Sequence, residues 1–239
     1  MTDLAYITAP EQIEMDTTVQ SVETGEGGIA LVLDRTPFYP QGGGQPSDIG
    51  MIEGDGFKFA VRKAVLVDGV VHHHGGIVEG EPAAAEARAT IDADRRALHA
   101  RLHSGGHLIM TAVFELAGLR AVKGYHFPDG PYVEFDGTLD EEAKAELADS
   151  LQQRIDEMIE ADEEVGVEST TVGELVAEGV FMPTHVPADK PTRVVTTFGY
   201  RSPCGGTHVA RTGELAGLHV RRIKAKSGRT RVAYEIAGA

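Results

Sequence analysis

Two pairs of potential metal ligands, about a hundred residues apart in the chain, restrict the folds open to this sequence more than any other feature. His103-Ser-Gly-Gly-His107 sets two imidazoles at i and i+4. On a helix that spacing puts both on one face, about a turn apart. The run Ser202-Pro203-Cys204-Gly205-Gly206-Thr207-His208 holds the single cysteine of the chain and a further histidine, with Cys204 and His208 again four apart. Its proline and glycines make it a loop, able to fold both side chains onto one point. One thiolate and three imidazoles form a complete tetrahedral set for one zinc ion. A fold that gathers them must bring a late loop back onto a helix near the middle of the chain.

Each half of that set has another reading. Histidine pairs at this spacing occur on surfaces by chance. The zinc-protease version requires a glutamate directly after the first histidine, where this chain has Ser104. A lone cysteine is commonly a small buried hydrophobe, and Cys204 beside His208 also fits an activated nucleophile. The companion histidine pair favours the metal. Four protein ligands describe a closed structural site, whereas a catalytic zinc keeps a position open. A loose ligand, an expanded coordination and a metal that only orients the site all fit the residues.

The pattern around these ligands predicts an α+β protein. It has an N-terminal small β-barrel-like subdomain, residues 1–92, followed by an α+β zinc-containing domain, residues 93–239. Thr17–Val22, Ile29–Leu33, Phe57–Val67, Val70–His72 and Ala87–Ile91 read as short strands, with Asp68-Gly69 as a hairpin turn. Leu98–Leu119 reads as a helix with Leu98, Leu102, Ile109, Val113 and Leu116 as its apolar stripe and Gly118 as its stop. Leu139–Glu164 is the clearest helix, its ridge formed by Leu139, Ala143, Leu147, Leu151, Ile155 and Ile159. Val172–Glu178 reads as a short helix. Thr192–Thr197, Leu215–Lys224 and Thr230–Ile236 read as strands, with Gly228 in the last turn. His72-His73-His74 reads as an ordinary strand end, since alternate side chains on a strand point to opposite faces. His126 and His185 have no companions in sequence and read as structural.

Charge excludes some functions. The chain of 239 residues carries a net charge of −15, so it is not a nucleic-acid binder that works by bulk positive charge. Residues 134–168 hold fourteen acids and two bases, which reads as a solvated helix face. Arg211, Arg221, Arg222, Lys224, Lys226, Arg229 and Arg231 face a single Glu214 in residues 211–231, a local excess compatible with docking a polyanion, though on charge alone a strand pair with ordinary basic surface residues is the better reading. His219 belongs to the same basic face. One cysteine excludes an intramolecular disulfide framework. No apolar run reaches the length of a membrane span, and residues 1–10 do not resemble a secretory signal. A cytoplasmic protein with neither membrane nor DNA as partner is expected.

With these residues in place, the chain resembles the alanyl-tRNA editing proteins of the AlaX family, in their medium-length form, which are themselves similar to the editing domain of alanyl-tRNA synthetase. Three segments carry the resemblance: Phe38 to Gly50 with its Gly42-Gly43-Gly44-Gln45-Pro46-Ser47-Asp48 core, Arg95-Arg96 leading into His103 and His107, and Cys204 to Val209 followed by Arg211-Thr212-Gly213-Glu214. Two stretches depart from the pattern. Ser104-Gly105-Gly106 stands where threonine and alanine are usual, and Ala121-Val122-Lys123-Gly124 lacks the glutamine of the synthetase domains. The resemblance implies a zinc-dependent deacylase that removes serine or glycine from mischarged tRNA(Ala). The length leaves no space for an aminoacylation domain, so action in trans is expected. It implies His103, His107, Cys204 and His208 as zinc ligands. Gly42, Gly43, Gly44, Gln45 and Asp48 would meet the 3′ end of the substrate, and Gly205, Gly206 and Thr207 its aminoacyl group. For Asp48, capping of backbone amides is the other reading. Arg211, Arg221, Arg222, Lys224 and Lys226 would contact acceptor-stem phosphates. No residue is assigned as acid or base. A zinc-stabilised RNA-binding module without hydrolysis, or a hydrolase of another aminoacyl ester, are the competing readings.

Overall fold

Alternation of apolar and polar residues with period two shapes the first part of the chain. In the computed structural model, which describes residues 1–25, 27–180 and 186–238, the protein is mixed α/β. Two compact units are present, Met1–Ala100 and Arg101–Ala239. The first opens with β1 (Asp3–Leu4) and one helical turn, α1 (Ala5–Thr8). It continues through β2 (Glu14–Gly25), β3 (Gly28–Leu33), β4 (Arg35–Thr36), β5 (Gly50–Gly54), β6 (Phe57–Val67), β7 (Val70–Gly80) and β8 (Glu86–Ile91). β1 pairs with β4 in parallel, and the other strands close into an antiparallel barrel in the order β2-β3-β7-β6-β5-β8. Met15 and Val19 of β2, Leu31 and Leu33 of β3, Ile52 of β5, Phe59 and Val61 of β6 and Ala89 of β8 turn inward and form its core. The expected turn at Asp68-Gly69 is present, with both residues at positive φ as a type I′ turn demands. The sequence reading missed β5, a five-residue strand that begins and ends in glycine.

The helix expected over Leu98–Leu119 is α2 (Ala93–Ala117). It starts earlier because the Asp92 carboxylate accepts the Arg95 N–H at 2.9 Å and the Asp92 carbonyl accepts the Arg96 N–H. An acidic residue at that position caps the helix and suits its positive end. Every residue from Leu102 to Ile109 is buried, whereas Leu116, expected in the stripe, is exposed. The middle of α2 is therefore a core helix with no polar face.

β9 (Ala121–Tyr125) and β10 (Tyr132–Asp136) follow, then α3 (Glu141–Ala161), β11 (Gly166–Thr171), α4 (Val172–Ala177), β12 (Pro191–Thr197) and β13 (Tyr200–Pro203). A 3-10 turn, Thr212–Leu215, precedes β14 (Leu218–Lys226) and β15 (Arg229–Ile236). Leu215, read as the start of a strand, thus ends that turn instead. β14-β15-β10-β9 form one antiparallel sheet and β11-β12-β13 another. Asp140 caps α3 through the Ala143 N–H, and Leu147, Leu151, Ile155 and Met158 are its buried side. Met158 replaces the expected Ile159 because a strict four-residue step drifts off a face that repeats every 3.6 residues.

Candidate metal centre

α2 presents His103 and His107 side by side, with ring centroids 5.2 Å apart. The loop after β13 brings Cys204 and His208 onto them. Cys204 Sγ lies 3.4 Å from His103 Nε2 and 3.3 Å from His208 Nε2. The four donor atoms all fall within 4.8 Å of one another. A tetrahedral zinc with ordinary bond lengths separates its sulfur and nitrogen ligands by about 3.5 Å, so this group has the size and the chemistry to hold one divalent ion. His103 and His107 are buried, while Cys204 and His208 are half-buried. The set is thus less enclosed on the loop side.

The surroundings fix the two donors of the loop, Cys204 and His208. A histidine that ligates through Nε2 keeps its proton on Nδ1, and the Nδ1 of His208 faces Ser104 Oγ at 3.0 Å. Ser104 Oγ also accepts the Val209 N–H at 3.1 Å, so one hydroxyl holds both the ring and its backbone. Arg193 of β12 clamps the loop, donating to the carbonyls of Cys204 and Gly206 at 3.0 and 2.8 Å while its own carbonyl accepts the Cys204 N–H. Within the loop the Gly206 N–H points at Cys204 Sγ, 3.4 Å away. Gly205 is exposed, with open space where a Cβ would stand.

His126 lies beside these ligands and explains Gly106 of α2. Its ring stacks on that of His103 with centroids 4.5 Å apart. Tyr234 donates its hydroxyl proton to the Leu102 carbonyl at 2.8 Å and accepts from His126 Nδ1 at 2.7 Å. A Cβ on Gly106 would fall 2.3 Å from His126 Cε1, and one on Gly124 would fall 2.3 Å from Nε2. The imidazole is held in a slot that exists only because both positions lack a side chain.

Burial sets the protonation states. It lowers His107 to about 4 and His126 to about 3, and it holds His103 and His208 well below the usual histidine range. All four rings are neutral at pH 7, as ligation requires of the three in the donor set. Burial pushes the Cys204 thiol up to about 11, against the pull of the Gly206 N–H and Arg193. A thiol so placed is poorly suited to act as a free nucleophile near neutral pH.

The remaining predicted residues lie as follows. Gly42 and Gln45 exchange backbone hydrogen bonds across Gly43 and Gly44, whose φ values of +53° and +79° form the turn. Gln45 is buried. Asp48 is fully buried, bound to the Arg96 guanidinium and accepting the Tyr39 N–H at 2.7 Å. Arg96 also donates to the carbonyls of Pro10 and Pro37, so the pair ties the glycine-rich loop to the first turn of α2. All of these belong to the first unit, and the four donors to the second. Thr207 is buried. Arg222, Lys224 and Lys226 are exposed along β14; Arg221 lies 3.9 Å from Glu235, and Arg211 pairs with Asp162 at 2.8 Å. His219 is exposed on the same strand. His73 points into the barrel, donating from Nδ1 to the Leu31 carbonyl and accepting from Thr36, while His72 faces Glu23 outside. His185 lies outside the described residues. Ser104 enters the sequence reading only as a departure from a pattern, and Arg193 not at all, because neither carries a spacing signal.

Over residues 5–95 the chain matches the family described as tRNA synthetases class II (A). It is 32% identical over 229 residues to an alanine–tRNA ligase of Chromohalobacter salexigens, which covers 90% of this chain and 26% of that protein. An alanine–tRNA ligase of Halobacterium salinarum is 31% identical over 221 residues, 91% of this chain and 24% of the relative. One from Paracidovorax citrulli is 30% identical over 230 residues, again 91% of this chain and 24% of the relative. The chain spans about a quarter of the length of these relatives.

Proposed function

We propose that this chain, a relative of alanine–tRNA ligases along 90% of its own length, hydrolyses the ester joining a wrong amino acid, serine or glycine, to tRNA(Ala). The observation that carries this reading is the gathered set of His103, His107, Cys204 and His208 in a chain so related. The physical need is general. A pocket for alanine rejects an added hydroxyl weakly and cannot exclude the smaller glycine by size, so a second site must remove the error.

Zinc is the metal proposed, one per chain, and when bound it supplies a Lewis acid that orients the aminoacyl group or polarises an oxygen. The other roles fall to the protein. Water attacks the acyl carbon, negative charge gathers on the carbonyl oxygen, and the bond to the ribose oxygen breaks, releasing free amino acid and intact tRNA. The Gly205 N–H is the proposed donor to that oxygen; the Gly206 N–H is turned to sulfur. Thr207 is assigned to test the amino acid for a hydroxyl. The Gly42-Gly43-Gly44 turn and Gln45 are assigned to the 3′ end, with Asp48 setting that loop in place through Arg96. Arg221, Arg222, Lys224 and Lys226 are assigned to acceptor-stem phosphates; Arg211 joins them from its pair with Asp162.

The four-donor set also favours a second reading, a closed structural zinc in an RNA-binding module without hydrolysis. Deacylation of Ser-tRNA(Ala), Gly-tRNA(Ala) and Ala-tRNA(Ala) by the isolated chain separates the two, with Cys204→Ala alongside and zinc measured on both. Expected are rapid loss of serine or glycine, sparing of alanine, and loss of both zinc and activity in the variant. Full zinc occupancy with none of the three hydrolysed would sink the hydrolase and leave the module.

A further inference from the structure

The outer face of the β14-β15-β10-β9 sheet carries an array that the metal centre does not use. Strand register places Tyr125 beside Tyr132, Lys123 beside Glu134, Glu134 beside Arg231, and Asp136 beside Arg229. It continues with Arg222 beside Ala233, Lys224 beside Arg231, and Lys226 beside Arg229. Directly paired residues share a face, and the intervening Val133, Phe135, Val232 and Tyr234 are buried on the other.

On the outer face, planar groups stand in series. Phe127 stacks on Tyr125 with centroids 4.6 Å apart, and Tyr125 on Tyr132 at 5.4 Å, with planes within 18°. The Arg231 guanidinium lies 4.1 Å above the Tyr132 ring. All three aromatic side chains remain partly exposed. Around them stand six cations, Lys123, Arg222, Lys224, Lys226, Arg229 and Arg231, against Glu134, Asp136 and Glu235 on the strands and Asp129, which accepts the Tyr125 hydroxyl at 3.0 Å. Arg231 and Arg229 pair with Glu134 and Asp136. Lys123, Arg222, Lys224 and Lys226 make no ion pair among the described residues. On a chain of net charge −15 this face is a local exception, and local field rather than net charge decides where a polyanion docks.

Unpaired nucleic acid is held by this combination: cations follow the phosphates while aromatic faces stack on bases. A four-stranded sheet bearing aromatic side chains is a common platform for single-stranded RNA. A duplex keeps its bases stacked within and gains little from exposed rings. The geometry points to the outer face of this sheet as a docking surface for an unpaired RNA segment, with Phe127, at the end of the ring stack, meeting a base, Tyr125 and Tyr132 holding that ring in place, and Arg222, Lys224 and Lys226 meeting phosphates. The inference rests on the tRNA reading above for the identity of the RNA. It adds that the grip includes unpaired bases and not duplex phosphates alone.

Anisotropy titrations with a labelled single-stranded RNA dodecamer and the duplex of the same strand test it. Wild type is expected to bind the single strand about tenfold or more tighter than the duplex. Tyr125→Leu with Tyr132→Leu should weaken single-strand binding about tenfold or more and leave its salt dependence unchanged. Lys224→Gln with Lys226→Gln should weaken both probes and flatten the salt dependence. Circular dichroism and zinc content confirm that each variant is folded. Equal affinity for the two probes, or folded tyrosine variants that bind like wild type, would overturn the proposal. Wild-type deacylation of Ser-tRNA(Ala), measured in parallel, separates the two ideas. Tyrosine-dependent binding without deacylation removes the hydrolase and keeps the surface, whereas deacylation with tyrosine-independent binding removes the surface and keeps the hydrolase.

Discussion

Of the four donors, Cys204 alone has a proton to lose at neutral pH. Burial keeps the three histidines deprotonated, with His107 near 4, while the thiol sits at about 11. Metal uptake must therefore expel one proton per ion. Below the thiol's range, each unit rise in pH lowers the proton competition, so zinc affinity should climb about tenfold per pH unit between pH 6 and 9. Calorimetry in buffers of different ionisation enthalpy reads that proton directly, and zinc binding with no proton release would contradict it. Ser104 would act one step away from a bound ion, through His208. Ser104→Ala leaves His208 Nδ1 and the Val209 N–H without their shared acceptor, so zinc affinity in a chelator competition should fall about ten- to a hundredfold. Ser104→Thr, which keeps the hydroxyl, should stay near wild type. An alanine variant that binds as tightly would show that the loop alone orients the ring.

At the scale of elements, α2 combines a helix-weakening sequence with a packing requirement. Alanine in place of glycine ordinarily favours a helix by about 1 kcal/mol. At Gly105 the new Cβ would lie 3.1 Å from a methyl of Leu218, a side chain able to shift, so Gly105→Ala should be neutral or mildly stabilising. At Gly106 it would meet the His126 ring, itself backed by Gly124, so Gly106→Ala should cost about 1–3 kcal/mol in urea unfolding. The reverse order would refute the slot. The same helix shows what a sequence can and cannot disclose. His103 and His107 were legible because helical spacing alone makes them neighbours, and Cys204 and His208 because a Pro-Cys-Gly-Gly run can only be a loop. His126 was not, since its partners Gly106, Gly124 and Tyr234 meet it through space. Asp48 allowed two sequence readings until Arg96, forty-eight residues on, was seen to hold it. The barrel was legible from its alternation, whereas β5, β9 and β13 are too short for period two to stand out. α2 beyond Leu98 was legible in extent but not in burial, because a helix packed on all sides has no stripe.

For the molecule as a whole, the four residues able to hold a metal all belong to the second unit, and the barrel closes on its own apolar core. Chelation should therefore speed amide exchange in α2 from Leu102 onward, in β12 and around Cys204, and leave β2, β3 and β6 protected. Equal loss of protection in the barrel strands would show that the ion supports both units. Seven of the fourteen acids in residues 134–168 stand on exposed positions of α3, away from its Leu147–Met158 side, while Glu134 and Asp136 stand among the sheet's basic rows and pair with Arg231 and Arg229. β14 is an outer strand of that sheet, so one side of its backbone has no strand beside it. Gln152 of α3 bonds β14 at the Leu218 carbonyl and the Val220 N–H; an edge open beyond such a contact is a template on which another chain can add a strand, and charged side chains are a common guard against it. Arg222, Lys224 and Lys226 fill that role here, since two such edges repel each other before their peptides can meet. Replacing all three with threonine would leave Arg221 as the one formal charge on a strand of high β propensity, and the expected cost is fibrous self-association that grows with protein concentration.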